Sequence, residues 1–249
     1  MKSFASIVIT GASSGIGEAL ALDYAAPGVA LALTGRDAGR LDAVAAACRA
    51  KGAAVIADTV DVVDRERLAA WLTAFDDAYP VDLVIANAGI SIDKDNSSLD
   101  DFSRIRQTFD VNVGGVFNTI EPLLSRLMAR RRGQIALVAS LASFIGLPYS
   151  ASYNASKAAV RVWGESIRYV LKKHGVGVSV VCPGFVVSRM TANAPFPMPF
   201  MMTSAKAASI IRRGLERNHA RIAFPIGTKA AVWFGQSLPG RWTARLLGA

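Results

Sequence analysis

A tyrosine and a lysine four residues apart, Tyr153 and Lys157, are the pair in this sequence best suited to proton transfer. On a helix, this spacing puts both side chains on one face. A free tyrosine has a pKa of about 10, and a nearby ammonium is expected to lower it by favouring the phenolate. Such a tyrosine can give a proton to a carbonyl oxygen or take one from an alcohol. Ser140, thirteen residues earlier, can hydrogen-bond the same oxygen. The alternative is an ordinary pair on a helix surface.

A glycine-rich segment over residues 10–17 lies where a buried strand is expected to end and a helix to begin. Glycine permits a tight turn and a close approach of the backbone to a pyrophosphate. The N-terminus of the helix adds unpaired N–H groups and the positive end of its dipole. The alternative is an ordinary glycine-rich turn. The residues predicted to bind a dinucleotide here are Gly11, Ser13, Ser14, Gly15, Ile16 and Gly17.

The end of the second predicted strand bears on the choice of cofactor. Enzymes that prefer NAD place an acidic residue there, which binds the hydroxyls of the adenosine ribose. This chain has Gly35 followed by Arg36, and a guanidinium fits a 2′-phosphate. The sequence therefore predicts NADP(H) as the cofactor. Two alternatives stay open: Asp37 is the ribose acid rather than the start of the next helix, or Arg36 is a plain surface residue.

These motifs, in this order, resemble the short-chain dehydrogenase/reductase family over about residues 3–190. The family's glycine motif, Thr-Gly-x-x-x-Gly-x-Gly, matches residues 10–17. The resemblance implies an oxidoreductase with a nicotinamide cofactor. The other matching motifs are Asn87-Ala88-Gly89, Ser140, Tyr153-x-x-x-Lys157 and Pro183-Gly184.

The resemblance also implies roles for further residues. Lys157 is expected to bind the nicotinamide ribose, and Asn112 to hold a water that links Lys157 to solvent. Asp61 is expected to contact the adenine. Ser188 stands near where the family often has a threonine that binds the carboxamide. The remaining expected cofactor contacts are Ser13 at the phosphate, Val62, Asn87 beside the adenosine, Gly89, Gly184 and the backbone of Val186.

Short apolar runs alternate with helical patterns along the chain. Strands are predicted over residues 6–10, 29–34, 54–57, 83–86, 135–139, 178–182 and 221–224. Helices are predicted over 18–26, 37–51, 64–78, 99–131 (with a join near 112–115), 152–173 and 203–218. This alternation predicts an α/β fold with a doubly wound parallel sheet of Rossmann type, in a single domain spanning 1–249.

Composition excludes several classes of protein. The chain has 249 residues, of which 52% are apolar and 19% charged, which rules out intrinsic disorder. No run reaches the roughly 18 uncharged apolar residues that a membrane span needs. Two cysteines make no disulfide framework, and no signal peptide is predicted, so a cytoplasmic location is expected. His174 and His219 lie far apart with no ligand cluster, so no metal site is predicted.

The segment 190–249 carries most of the net charge. It has eight basic residues and one acid, Glu216, which makes +7 of the total of +9. It is predicted to cover the substrate site, and its part over 229–247 mixes cations with tryptophan and leucine. That mixture favours either an anionic membrane surface or subunit packing, while no nucleic-acid module is visible. A lid over an apolar substrate, or alternatively a packed core segment, is predicted from Phe185, Met190, Phe196, Met198, Phe200, Met201 and Met202.

The sequence therefore predicts an NADP(H)-dependent oxidoreductase that moves a hydride between the nicotinamide and a ketone or secondary alcohol. A carbonyl reductase on an apolar substrate is favoured, because cells keep the NADPH pool reduced. The resemblance implies a homo-oligomer, either a dimer or a tetramer. The alternatives are an NADP(H)-sensing protein without turnover and a cytoplasmic lipid-ketone reductase that is peripheral to a membrane surface.

Overall fold

The computed structural model describes residues 2–91, 101–147, 150–192 and 198–237. The strands are β1 Ser6–Thr10, β2 Ala30–Thr34, β3 Ala54–Asp58, β4 Leu83–Ala86, β5 Gln134–Val138, β6 Gly177–Pro183 and β7 Arg221–Phe224. The helices are α1 Gly15–Tyr24, α2 Ala38–Ala50, α3 Arg65–Ala78, α4 Phe102–Phe109, α5 Gly115–Arg130, α6 Ala151–Lys172, α7 Ser204–Glu216 and α8 Ile226–Ser237.

All seven strands are parallel and lie in the order β3-β2-β1-β4-β5-β6-β7. Helices cover both faces of the sheet, so the predicted doubly wound fold is confirmed. One face packs against α1, α2 and α7 through residues such as Leu20, Leu41 and Leu215. The other packs against α3, α5 and α6 through residues such as Leu68, Leu123 and Val160. Burial on both faces explains why the five inner strands are nearly continuous apolar runs rather than alternating ones.

The strand order reverses between β1 and β4. From β1 the chain passes outward to β2 and β3, and it then returns to β4 on the other side of β1. The loops at the carboxyl ends of these two strands therefore diverge and leave a crevice, which is where open α/β sheets bind ligands. The glycine-rich turn follows β1, and Asn87 follows β4. The topology thus brings two of the predicted motifs to one place.

Helix ends largely follow the predicted signals. The Asp37 carboxylate accepts a hydrogen bond from the Arg40 N–H at the start of α2, and Asp64 does the same for Arg67 at α3. The long helical stretch is divided as expected, because a π-helical turn over Asp110–Gly114 separates α4 from α5. The first helix is the exception, since α1 begins at Gly15, three residues earlier than predicted. Its N-terminus is therefore formed by the glycine motif itself.

Some predictions concern parts of the chain that are not described. Phe196 and the basic tail over 238–249 lie outside the described residues, so the predicted membrane role of that tail stays a prediction. Within the described ranges, no helix is both long and apolar enough to cross a bilayer. The same ranges hold no group of three His, Cys, Asp or Glu side chains placed to bind a metal ion. A single chain does not test the predicted dimer or tetramer.

Candidate active site

The glycine turn after β1 has a backbone that only glycine accommodates easily. Gly11 has a φ of +67° and Gly15 a φ of +61°, both in the left-handed region. A Cβ on Gly17 would overlap the carbonyl oxygen of Gly11 and lie 2.6 Å from Asn87 Nδ2. The start of α1 therefore lies directly against the turn. This leaves its N–H groups facing the crevice, as a pyrophosphate site requires.

Asn87 and Thr10 tie this turn to the loop after β4. Asn87 Nδ2 donates to the carbonyl oxygens of Thr10, at 2.9 Å, and Gly11, at 3.2 Å. The hydroxyl of Thr10 accepts in return from the backbone N–H groups of Asn87 and Ala88, each at 3.1 Å. Asn87, predicted to line the adenosine, is thus also a structural link across the switch point. Thr10 was not predicted as a site residue, although it opens the glycine motif.

The other residues of the turn have distinct surroundings. Ser13 is buried beneath the end of β2. It lies so close to Gly35 that a Cβ on that glycine would be 2.8 Å from Ser13 Oγ. Ser14 is the N-cap of α1, but its side chain makes no capping hydrogen bond. Ile16, in the first turn of α1, packs against the hydrophobic core. The phosphate contacts predicted for Ser13 and Ser14 stay predictions.

Arg36 and Asp37 differ in their surroundings, and Asp37 starts the next helix as predicted. Arg36 is exposed just after β2, and its guanidinium makes no ion pair or hydrogen bond to any described residue. Asp37 begins α2: its Oδ1 accepts from Arg40 N at 3.0 Å, and its Oδ2 lies 2.6 Å from Arg40 Nη1. The carboxylate is therefore already engaged by protein groups, whereas the Arg36 guanidinium is open to a ligand.

The predicted adenine contacts lie beyond β3. Asp61 Oδ1 accepts from the N–H of Val63 at 3.1 Å, which fixes the carboxylate in the loop. Val62 is buried, and its carbonyl accepts from Asn118 Nδ2 at 2.9 Å. A Cβ on Gly115 would lie 2.5 Å from Val62 Cγ2, so this loop packs directly on the start of α5. The loop is thus rigidly held at the edge of the crevice.

Ser140, Tyr153 and Lys157 come together at the carboxyl end of β5. Ser140 precedes a 3-10 turn over Leu141–Phe144, and its Oγ accepts from the N–H of Ala142 at 3.1 Å. Tyr153 and Lys157 are on the first two turns of α6, and the Lys157 ammonium lies 5.9 Å from the centre of the Tyr153 ring. Lys157 Nζ donates to the carbonyl of Val138, within β5, at 2.8 Å. The predicted catalytic residues are therefore neighbours in space.

Burial is the largest influence on the pKa values of Tyr153 and Lys157. It raises the pKa of Tyr153 above its ordinary value, and a hydrogen bond with Ser140 acts in the opposite direction. Burial also lowers the pKa of Lys157 to about 8. The pKa of Tyr153 is therefore raised, not lowered as predicted, because burial outweighs the hydrogen bond with Ser140. Tyr153 is a protonated phenol at neutral pH.

Asn112 is placed by the π-helical turn and is completely buried. Its Oδ1 accepts from Ile90 N at 2.8 Å, and its Nδ2 donates to Ile90 O at 2.9 Å and to Ser156 Oγ at 3.0 Å. Ser156 Oγ in turn donates to the carbonyl of Tyr153 at 2.8 Å. Both amide N–H groups of Asn112 are thus used within the protein, and the water that it is expected to hold stays a prediction. The sequence analysis assigns Ser156 no role, although it lies on α6 between Tyr153 and Lys157.

Gly89 is required where the loop after β4 passes the lysine. A Cβ on Gly89 would lie 3.1 Å from both Asn112 Oδ1 and Lys157 Nζ. A larger residue would therefore press on the ammonium. The glycine thus leaves room for the ammonium of Lys157.

The loop after β6 returns to the glycine turn. A Cβ on Gly184 would lie 3.0 Å from Pro225 Cδ, and Val186 is buried and pairs with Met202. Ser188 N donates to Thr191 Oγ1 at 2.9 Å, and Ser188 Cβ would lie 3.1 Å from a Cβ on Gly15. Ser188 is therefore beside the predicted phosphate site and bonded to Thr191, a partner that the sequence alone did not indicate.

A charged cluster that the sequence did not predict lies behind Ser140. Glu165, on α6, accepts from Arg161 Nη1 at 3.1 Å and from Arg221 Nε at 2.8 Å. The two guanidinium carbons lie 4.2 and 5.1 Å from the centre of the Phe144 ring, which closes the 3-10 turn. This Phe144 clamp, formed by Arg161, Glu165 and Arg221, joins α6 and β7 to the turn that begins at Ser140.

Comparison with known proteins agrees with this geometry. The family described as short chain dehydrogenase matches residues 5–196. The chain belongs to this family. An oxidoreductase of uncharacterised activity from Myxococcus xanthus (strain DK1622) is 38% identical over 224 residues, which are 90% of this chain and 88% of that protein. The chain is thus an oxidoreductase of the short-chain dehydrogenase family.

Solved structures of short-chain dehydrogenases share the fold. One from Sphingobium yanoikuyae, in complex with NADPH, has a TM-score of 0.81 at 24% identity and covers 96% of this chain and 91% of its own. One from Mycobacterium paratuberculosis, bound to NAD, has a TM-score of 0.80 at 24% identity, with 90% and 97% covered. At this identity the likeness concerns the fold alone. The family uses a nicotinamide cofactor, and its members differ in which one they bind.

Proposed function

We propose that this short-chain dehydrogenase is an NADP(H)-dependent carbonyl reductase that converts an apolar ketone to a secondary alcohol. The observation that carries the proposal is the group formed by Ser140, Tyr153 and Lys157 at the carboxyl end of β5. An ordinary surface pair would not bury a lysine ammonium with a pKa of about 8 beside a tyrosine bonded to a serine. The glycine turn supplies the adjoining place for a dinucleotide.

The residues divide the proton chemistry between them. A bound nicotinamide supplies the hydride, and the protein has to place the carbonyl and deliver a proton to its oxygen. Ser140 holds the oxygen by a hydrogen bond, and the phenol of Tyr153 donates the proton. Because burial raises the pKa of Tyr153, the proton is present at neutral pH. Reduction of a ketone uses this proton, whereas oxidation of an alcohol needs the phenolate as a base.

The choice of NADP(H) rests on Arg36. A 2′-phosphate carries charge that an exposed guanidinium can bind in a bidentate manner, and the Arg36 guanidinium has no partner among the described residues. The competing assignment needs Asp37 to bind ribose hydroxyls, but its carboxylate is held by the N–H and guanidinium of Arg40. Both observations support NADP(H) over NAD.

Cofactor titration tests the proposal. We expect NADPH to bind at least about 10-fold more tightly than NADH, since a charge-assisted bond contributes roughly 1.5–3 kcal/mol. Arg36→Asp should lose that preference through weaker NADPH binding. Arg106→Asp, an equal change in charge at an exposed residue of α4, is the matched control and should behave as wild type. Equal or tighter binding of NADH by the wild-type protein would reject the role of Arg36.

A further inference from the structure

Four apolar side chains lie exposed near the carboxyl ends of the strands, and we call them the apolar patch. They are Val187 and Met201, about half exposed, Phe200, 63% exposed, and Ile226, 83% exposed. Side chains of this size are ordinarily buried, and single exceptions need no explanation. Four of them at one place mark a candidate interaction surface.

Backbone and ring contacts join the members of the apolar patch. The N–H of Val187 donates to the carbonyl of Met202 at 2.9 Å, which places Val187 beside Met201. The ring of Phe200 lies over Gly227, where an added Cβ would be 3.1 to 3.3 Å from three ring carbons. Gly227 follows Ile226 directly. The patch is therefore one surface built from the loop after β6 and the first turn of α8.

Phe200 has a strained backbone conformation, and its side chain is largely exposed. Its φ of +58° is in the left-handed region, which costs a bulky residue roughly 1–2 kcal/mol. In a core residue, burial of the ring would offset this strain energy, whereas Phe200 is 63% exposed. Strain of this kind in an exposed aromatic side chain points to a role outside the folded chain itself.

Positive charge surrounds the apolar patch. Arg189 lies two residues after Val187, and Lys206 is in the first turn of α7, where Ser204 Oγ donates to the Val187 carbonyl at 2.6 Å. Lys229 lies one helical turn after Ile226. All three cations are exposed and make no ion pair with any described residue.

Negative charge is almost absent from this part of the sequence. Between residues 184 and 237 the single acid is Glu216. It lies in the last turn of α7, where it is paired with Arg212 Nε at 3.0 Å. Along the stretch of chain that builds the patch, the exposed charges without an ion pair to a described residue are therefore positive.

The positive charge around the apolar patch distinguishes between two binding partners, a second copy of the chain and a lipid surface. A second copy docked through the same surface would bring Arg189, Lys206 and Lys229 against the same three cations of its partner, because a two-fold contact is self-complementary. A surface of anionic lipid headgroups with acyl chains beneath suits both parts, since cations bind the headgroups while aromatic and aliphatic side chains enter the interface.

We propose that the apolar patch and its three cations bind this protein to the anionic surface of a lipid bilayer. The patch is at the same end of the sheet as Ser140 and Tyr153, so the bound protein presents its site towards the membrane. Substrates dissolved in the lipid would then reach the site without crossing water. The binding itself is independent of turnover and of cofactor choice.

Vesicle sedimentation tests the proposal with the full-length protein. We expect it to sediment with vesicles of phosphatidylcholine and phosphatidylglycerol and to stay in solution with phosphatidylcholine alone. Lys206→Glu with Lys229→Glu should weaken binding roughly 10-fold or more, at about 1 kcal/mol per cation. Lys172→Glu with Lys173→Glu, the same change at exposed lysines at the far end of α6, is the control and should bind as wild type.

The apolar part has its own variants. Phe200→Ser with Ile226→Ser should also weaken sedimentation, whereas Tyr169→Ser, at an 81% exposed aromatic residue near the end of α6, should not. Unchanged NADPH binding and circular dichroism show that each variant is folded. Failure of the wild-type protein to sediment with anionic vesicles would overturn the proposal. Undiminished sedimentation of both patch variants would also overturn it, because another surface would then be responsible.

Discussion

Lys157 shows how strongly burial alone can shift one residue. Its ammonium is almost completely removed from water, and its hydrogen bond to Val138 does not restore the lost hydration. The pKa falls from 10.5 to about 8 as a result. Between pH 8 and 10.5, the unfolded chain therefore keeps this proton, whereas the folded chain has lost it.

This shift predicts how stability depends on pH. Because the unfolded chain holds the extra proton, the free energy of unfolding should rise as pH increases from about 8 towards 10.5. The contribution of Lys157 is on the order of 3 kcal/mol over that range. Lys157→Met removes the titration and keeps the volume. Urea unfolding of both proteins, at neutral pH and near the top of the range, measures the difference, and a difference independent of pH would contradict it.

The motifs predicted which residues meet at the site but not their electrostatic state. Tyr153, Lys157 and Ser140 were found because residue type and spacing are visible in the sequence. The direction of the Tyr153 pKa was missed because it depends on how much water the folded protein excludes. Ser156 was missed because its partner, Asn112, is 44 residues away in the chain.

At the scale of elements, two short irregular turns place residues of the proposed catalytic group. The π-helical turn carries Asn112, and the 3-10 turn after β5 begins at Ser140. A π-helical turn within a helix frequently marks a functional position. The Phe144 clamp connects the second turn to α6, the helix that carries Tyr153. It therefore connects Ser140 and Tyr153, the two groups that we propose bind the same carbonyl oxygen.

Removing the carboxylate of the Phe144 clamp should affect catalysis. Glu165→Gln leaves Arg161 and Arg221 facing each other without their shared anion, so Ser140 should be less well positioned. We expect kcat for ketone reduction to fall several-fold to about 10-fold, since small misplacements are costly in catalysis, with NADPH affinity unchanged. Steady-state kinetics and cofactor titration measure the two effects separately.

Glu121→Gln is the matched control. Glu121 also pairs with an arginine, Arg65 at 2.8 Å, but on an exposed surface. Exposed pairs contribute little, so its kinetics should equal those of wild type. Equal behaviour of the two variants would show that the clamp does not position Ser140.

Sequence patterns predicted the elements better than the contacts between them. Strand β4 and strand β7 have the predicted bounds, and Asp64 caps α3 as expected. The clamp was not predicted because Glu165 and Arg221 are 56 residues apart and belong to different elements. Local periodicity carries no information about such pairs.

At the scale of the whole molecule, the doubly wound sheet determines where function can occur. Its switch point brings the turn after β1 and the loop after β4 together, and the loops after β5 and β6 complete the same edge. The sequence predicted this topology because strands and helices alternate. It did not predict the apolar patch as one surface. Phe200 and Met201 were assigned to a lid or a packed core segment, Ile226 at the start of α8 was not joined to them, and the membrane role was placed in the tail over 229–247.

The central claim is that Tyr153 donates the proton in an NADPH-dependent reduction. Its most direct test is the oxidation of NADPH by wild type, Tyr153→Phe and the control Tyr169→Phe with a panel of apolar ketones, alongside NADPH binding. We predict turnover by wild type and the control, and a loss of about a hundred- to ten-thousand-fold in Tyr153→Phe, which still binds NADPH. Binding of NADPH by wild type with no turnover of any ketone, or undiminished turnover by Tyr153→Phe, would contradict the claim.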